Sequence, residues 1–176
     1  MHRAETAPLN WDPVHGGQRA RVCWDDDKVY DLGSDPDGSR FDRIATKMLS
    51  GDYYPPEAVR CFGRFRLDGR PLRAGDRMLQ RAPMFLTWGG PLLNSSTEIF
   101  VAEREVDRCK LGYVTTQFHH GKGIWSSELT RAGRRLSLHV QGTAMPHSWL
   151  FWLCLPLARH YQKRAWRRAV EEFGKL

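Results

Sequence analysis

The side chains able to do chemistry are few and scattered. His119 and His120 stand side by side between two segments of alternating polarity, where His119 could act as an acid or base at a pocket mouth. Neighbours on a strand point to opposite faces, so the pair cannot easily hold one metal ion, and His139 and His147 add no ligand spacing. No metal centre is expected. Glu98, Glu103 and Glu128 fall in predicted strands, and a carboxylate facing a hydrophobic cavity would have a raised pKa suited to general acid-base work. Glu103, followed by Arg104 and Glu105, reads as an outward, solvated residue; Glu128, alternating with Ser126 and Ile124, is the candidate for a pocket. Ser95-Ser96 and Ser126-Ser127 lack a Gly-x-Ser-x-Gly setting, and Gly89-Gly90-Pro91 lacks the Lys-Ser/Thr of a phosphate loop. Cys23, Cys61, Cys109 and Cys154 are too far apart for a zinc knuckle or redox dithiol and read as separate reduced thiols. No cofactor is expected.

Aromatic residues are the better clue. The chain holds seven Trp, and Tyr54, Trp88, Tyr113, Trp125 and Trp152 are expected to line a cavity for an apolar ligand, with His119 and Glu128 as polar handles. The plainer reading is an aromatic core. An empty apolar pocket of about 300 Å³ would cost about 7 kcal/mol at about 24 cal/mol per Å³, comparable to a whole domain's stability. Such a cavity must be hydrated, occupied or much smaller.

Lys and Arg number 27 against 20 Asp and Glu, for a net charge of +7. The excess lies in residues 60–81 and 159–176, where Arg159, Lys163, Arg164, Arg167 and Arg168 share one side of a predicted helix. These could meet a nucleic-acid backbone or an anionic membrane; the plainer reading is a solvated face whose stems cover apolar surface. Phe62 and Phe65, among Arg60, Arg64 and Arg66, read as facing the core.

The elements that must position these groups follow from periodicity. Residues 1–20 read as an irregular lead-in and 21–176 as one domain. Arg21 to Trp24 is a short strand candidate, and Asp25-Asp26-Asp27 reads as turn material. A helix follows, capped by Ser39 with Asp42 at its third position, its apolar face Phe41, Ile44, Ala45, Met48 and Leu49, its end Gly51. Alternation then marks strands over Val59–Leu67, Arg77–Ala82, Met84–Trp88, Glu98–Val106, Lys110–Phe118, Gly123–Thr130 and Arg135–Gly142, joined by hairpin turns. The chain closes in a helix from a Ser148 cap to about Phe173, with Pro156 interrupting it or starting its longer part. The apolar run from Trp149 to Leu157 is nine residues, short of the about 20 of a membrane span. Residues 1–8 lack a secretory pattern, so a cytoplasmic protein is expected.

Strands followed by one long amphipathic helix make an α+β pattern, a curved antiparallel sheet of about six to seven strands wrapped around that helix. Phe41-Asp42-Arg43, Tyr54-Pro55, Leu72 to Asp76, Gly112-Tyr113-Val114-Thr115 with His119 and Gly123, and Pro156 to Arg164 resemble the domain of unknown function 1990 family, over about residues 29 to 170. That family is similar to the START-like, birch-pollen-allergen-like helix-grip superfamily, so the resemblance implies a helix-grip fold and suggests a hydrophobic ligand cavity. Val114, Phe118-His119-His120 and Gly123-Ile124-Trp125 depart from the family's Gly-Tyr-Gly-Thr, Gly-His-Pro and Gly-Glu-Glu, removing its acidic groups unless Glu128 replaces them. The expected function is binding of a hydrophobic or amphipathic, lipid-like small molecule between sheet and helix, with no catalysis demonstrated by the motifs. The alternatives are an enzyme of the same fold acting on a lipid or polyketide-like substrate, and a binding module for nucleic acid or anionic membrane.

Overall fold

The computed structural model describes residues 6–12, 24–83, 92–146, 152–153 and 155–176. Seven strands form one antiparallel sheet in the order β1-β7-β6-β5-β4-β3-β2. They are β1 (Trp24–Ser34), β2 (Arg60–Phe62), β3 (Arg77–Pro83), β4 (Leu92–Arg104), β5 (Arg108–Thr115), β6 (Gly121–Ala132) and β7 (Arg135–Pro146). Helix α1 (Ser39–Leu49) lies between β1 and β2, α2 (Arg64–Leu67) between β2 and β3, and α3 (Leu155–Lys175) ends the chain. This is the helix-grip arrangement. The expected strand Met84–Trp88 and the Ser148 cap lie outside the described residues.

Alternation selects the inner face. Leu136, Leu138 and Val140 of β7, Trp125, Ser127 and Leu129 of β6, and Cys109 and Leu111 of β5 are buried. Phe41, Ile44, Ala45 and Met48 of α1, Phe65 of α2, and Trp166, Ala169 and Phe173 of α3 complete the core. Gly123 of β6 meets β7 so closely that a Cβ there would lie 2.3 Å from the Thr143 carbonyl oxygen.

Three local expectations are corrected. Asp25-Asp26-Asp27 belong to strand β1 rather than a turn. Asp alone disfavours strands, but cross-strand partners reverse the balance: Asp25 accepts from Thr143, Asp27 from Gln141 while pairing with His139, and Asp31 accepts from Arg135. Within Val59–Leu67 only Arg60–Phe62 is strand; Gly63 ends it and α2 turns Phe65 into the core, whereas Phe62 stays 36% exposed beneath the Arg81 guanidinium. Ser39 does not cap α1. Gly38, at φ 82, holds the cap position, and the buried Asp35 carboxylate accepts from the backbone N–H groups of Arg40 and Phe41 at 3.2 and 3.0 Å.

Helix α3 is held unevenly. Its final carbonyls accept hydrogen bonds from α1: Arg40 donates to the Phe173 and Gly174 oxygens and Arg43 to that of Leu176. Only residues of its second half are fully buried. Arg159, expected on the solvated face, turns inward: it pairs with Asp26 at 2.7 Å and lies over the Trp24 and Trp166 rings.

Removing the Asp35 cap strands one buried and one partly buried donor. Asp35→Ala is expected to lower stability by about 2 kcal/mol in urea unfolding. Asp42→Ala, which loses only an exposed ion pair with Arg104, should cost under about 1 kcal/mol, and equal effects would contradict the assignment.

Candidate ligand-binding site

The interior between sheet and helix is packed with rings. After α1, Tyr53 and Tyr54 enter the core; Tyr53 meets Trp125 edge-on at 4.9 Å and Phe173 at 5.3 Å, while Tyr113 stacks on Trp125 at 5.0 Å. Among the described residues, a space of about 10 Å³ is bordered by Tyr53, Tyr54, Tyr113, Trp125, Gln80 and Cys61 among others. That is room for one water at most. Two buried donors, Trp125 Nε1 and Gln80 Nε2, have no hydrogen-bond partner within 3.5 Å among the described residues. The Tyr53 hydroxyl donates to Ser127 Oγ at 3.1 Å.

Burial keeps this interior neutral. It pushes the phenols of Tyr53, Tyr54 and Tyr113 well above their ordinary value and the Cys61 thiol up to about 12.

A second, larger space lies at the sheet's edge. Alternation along β1 turns Trp24, Asp26, Lys28 and Tyr30 toward α3, and His160, Lys163, Trp166 and Arg167 of α3 face the last two of these across a half-open cleft of about 310 Å³. Its floor is aromatic, from Tyr30 and the buried Trp166. Its rim is cationic. Nine arginines are matched to carboxylates among the described residues, such as Arg70 to Asp76, Arg77 to Glu98 and Arg131 to Asp107. Lys28, Lys163 and Arg167 have no ion-pair partner among the described residues. Burial, with the nearby Asp26 charge, raises the Tyr30 phenol, and Arg167 opposes the shift. The two spaces share a wall: Trp166 Nε1 donates to the Tyr54 hydroxyl at 3.1 Å.

The structure brings together Tyr54, Tyr113 and Trp125 of the residues expected to line a cavity, but around one water's space. It separates the others. Glu128 sits on the outer face, opposite in alternation to Trp125, between Arg108 at 3.3 Å and Lys110 at 3.5 Å. Partial burial acts to raise its carboxyl, but hydrogen bonding and charge from Arg108, then Lys110, hold it below the ordinary value, the reverse of a general acid. His119 occupies the β5–β6 turn, where Nδ1 accepts from the Gly121 N–H at 3.0 Å. Residues 6–12 pack beside this turn through a Leu9–Thr116 bridge and a bond from Asn10 N–H to the Thr115 carbonyl. Trp152 is 47% exposed just ahead of α3, and Trp88 lies outside the described residues.

The cleft escaped sequence reasoning because Lys28 and His160 are 132 positions apart and their residue types carry no spacing signature. Reading the acidic run as strand would have exposed the Trp24, Asp26, Lys28, Tyr30 alternation.

No protein-family model matches the chain, and no curated protein matches it. Solved structures do. A hypothetical protein of Helicobacter pylori superposes with a TM-score of 0.58 at 10% identity, over 94% of this chain and 95% of that one. Ara h 8.0201 gives 0.54 at 10% identity over 88% and 100%. The di-domain ARO/CYC StfQ from the steffimycin biosynthetic pathway gives 0.54 at 12%, over 92% of this chain and 52% of that one. At such identities the likeness shows the shared fold. Among the described residues no helix is long and apolar enough to cross a membrane.

The neutral interior has an alkaline consequence. Above about pH 9 the unfolded chain ionises its thiols and then its phenols, while the folded one retains these protons, so unfolding releases protons and stability falls as pH rises. The urea midpoint is expected to decline steadily between about pH 9 and 11, with the phenolate absorbance of Tyr53, Tyr54 and Tyr113 appearing only as the protein unfolds. A constant midpoint across that range would refute this.

Proposed function

We infer that this protein binds an amphipathic small molecule, with an apolar body and an anionic head, between β1 and α3. The observation that carries the reading is the cleft of about 310 Å³, which sets an aromatic floor beneath a rim of cations. Unpaired cations beside buried aromatic surface favour a ligand that supplies both missing halves, an anion for Lys28, Lys163 and Arg167 and an apolar chain or ring for Tyr30 and Trp166. Asp26 does not compete, because Arg159 holds it.

Tyr54, Tyr113 and Trp125 enter this reading as the wall behind the cleft. If the Trp166–Tyr54 bond parts, an apolar tail reaches them, and its polar atom meets the orphan donors of Trp125 and Gln80. His119, Glu128 and Trp152 stand apart from it. Of the five cations expected to contact an anionic surface, Lys163 and Arg167 rim the cleft and Arg159 is engaged inside. The narrower likeness to the domain of unknown function 1990 family belongs to the same reading, on the motifs at Phe41 to Arg43, Tyr54-Pro55 and Gly112 to Thr115.

Titration with anilinonaphthalene sulfonate, an anionic aromatic probe, tests the proposal. The dye is expected to bind and to be displaced by oleate about tenfold more effectively than by oleyl alcohol, and Lys163→Glu with Arg167→Glu should weaken it about tenfold without lowering the melting temperature. Equal displacement by the charged and neutral competitors, or no dye binding, would overturn it.

A further inference from the structure

Helix α3 presents a second surface, distinct from the cleft. Leu157 in its first turn is 47% exposed, and the helical residues just ahead of it, Trp152 and Leu153, are 47% and 71% exposed. One exposed leucine is ordinary; three large apolar side chains within six residues mark a contact surface. At 100° per residue, Leu153, Leu157, Arg164 and Arg168 fall on one stripe, opposite the buried Trp166, Ala169 and Phe173. That stripe is apolar where the helix begins and cationic two to three turns later. Arg164 has no ion-pair partner among the described residues; Arg168 reaches Glu171 at 3.5 Å.

The pattern discriminates among partners. A nucleic acid would engage the cations and leave the leucines in water. A second copy, joined about a two-fold axis through the leucines, would bury them but leave Arg164 without an anion. An anionic bilayer surface accepts both, taking apolar side chains at the acyl boundary and cations at the phosphates, with long stems spanning the distance. The geometry points to docking of the start of α3 on a membrane carrying anionic lipid head groups, with Leu153 and Leu157 inserted, Trp152 beside them, and Arg164 and Arg168 at the head groups. His160 and Lys163 of the cleft lie within two turns of Leu157, so docking sets the cleft mouth near the bilayer. The inference does not depend on the cleft being filled.

Flotation of the full chain with vesicles tests it, comparing phosphatidylcholine alone with phosphatidylcholine containing phosphatidylglycerol. Binding is expected to be at least about tenfold stronger to the anionic vesicles and to weaken with salt. Leu153→Gln with Leu157→Gln should reduce it about tenfold while circular dichroism stays unchanged, and Arg164→Glu should remove the preference for anionic lipid. In the unaltered protein, brominated acyl chains should quench tryptophan emission. Full binding by the leucine variant, no partition into either vesicle, no quenching by brominated lipid, or a leucine-dependent dimer that ignores vesicles would each overturn the proposal. Heparin binding that outcompetes vesicles and is indifferent to the leucines would reassign the surface to nucleic acid.

Discussion

The position of α3 against the sheet rests on the pairing of Arg159 with Asp26. The two side chains are 17% and 8% exposed and meet at 2.7 Å. Two charges withdrawn from water in this way are tolerable only with close geometry and further partners. Arg159 has them: Gln162 accepts a second bond from its guanidinium, and Trp24 and Trp166 lie 5.1 and 5.8 Å from it. Asp26 is less complete, since its Oδ2 is buried without a partner among the described residues. The pair ties the first half of the helix to β1, and by fixing their separation it sets the width of the cleft formed one turn farther along both elements.

From that constraint follows a division of labour between two spaces. Inside, aromatic rings crowd the grip, and burial holds the Tyr53, Tyr54 and Tyr113 phenols and the Cys61 thiol neutral. At the edge, charge is concentrated and left unmatched. Among the described residues, Tyr53 meets Trp125 and Phe173 edge-on within the grip. The Trp166–Tyr54 bond is the partition between the two spaces.

Much of the architecture was legible because burial on one side of a sheet imposes period two and a docked helix imposes period 3.6. Leu136, Leu138 and Val140 announced β7, and Phe41, Ile44, Ala45 and Met48 announced α1. What escaped was set by partners distant in sequence. Local propensity makes Asp25 to Asp27 a turn, and only β7 and Arg159 make them strand. Local propensity also assigns the cap of α1 to Ser39, although the buried Asp35 supplies it from four residues earlier. Tyr54, Tyr113 and Trp125 border one small space, and nothing in their spacing tells a lined cavity from a filled one. Arg159 looked like its helical neighbours Lys163 and Arg164 until Trp24 and Asp26 gave it an inward destination.

The arrangement along β1 also bears on self-association. This strand is eleven residues long and stands at the edge of the sheet, where a row of unsatisfied backbone groups invites a foreign strand to add on. Asp25, Asp27 and Asp31 point outward along that border, and a bulge between Asp31 and Gly33 breaks its regularity. An approaching copy of the same strand would bring carboxylate against carboxylate over a bent template. The acidic residues that tie β1 to β7 thereby guard the sheet's longest open margin against aggregation.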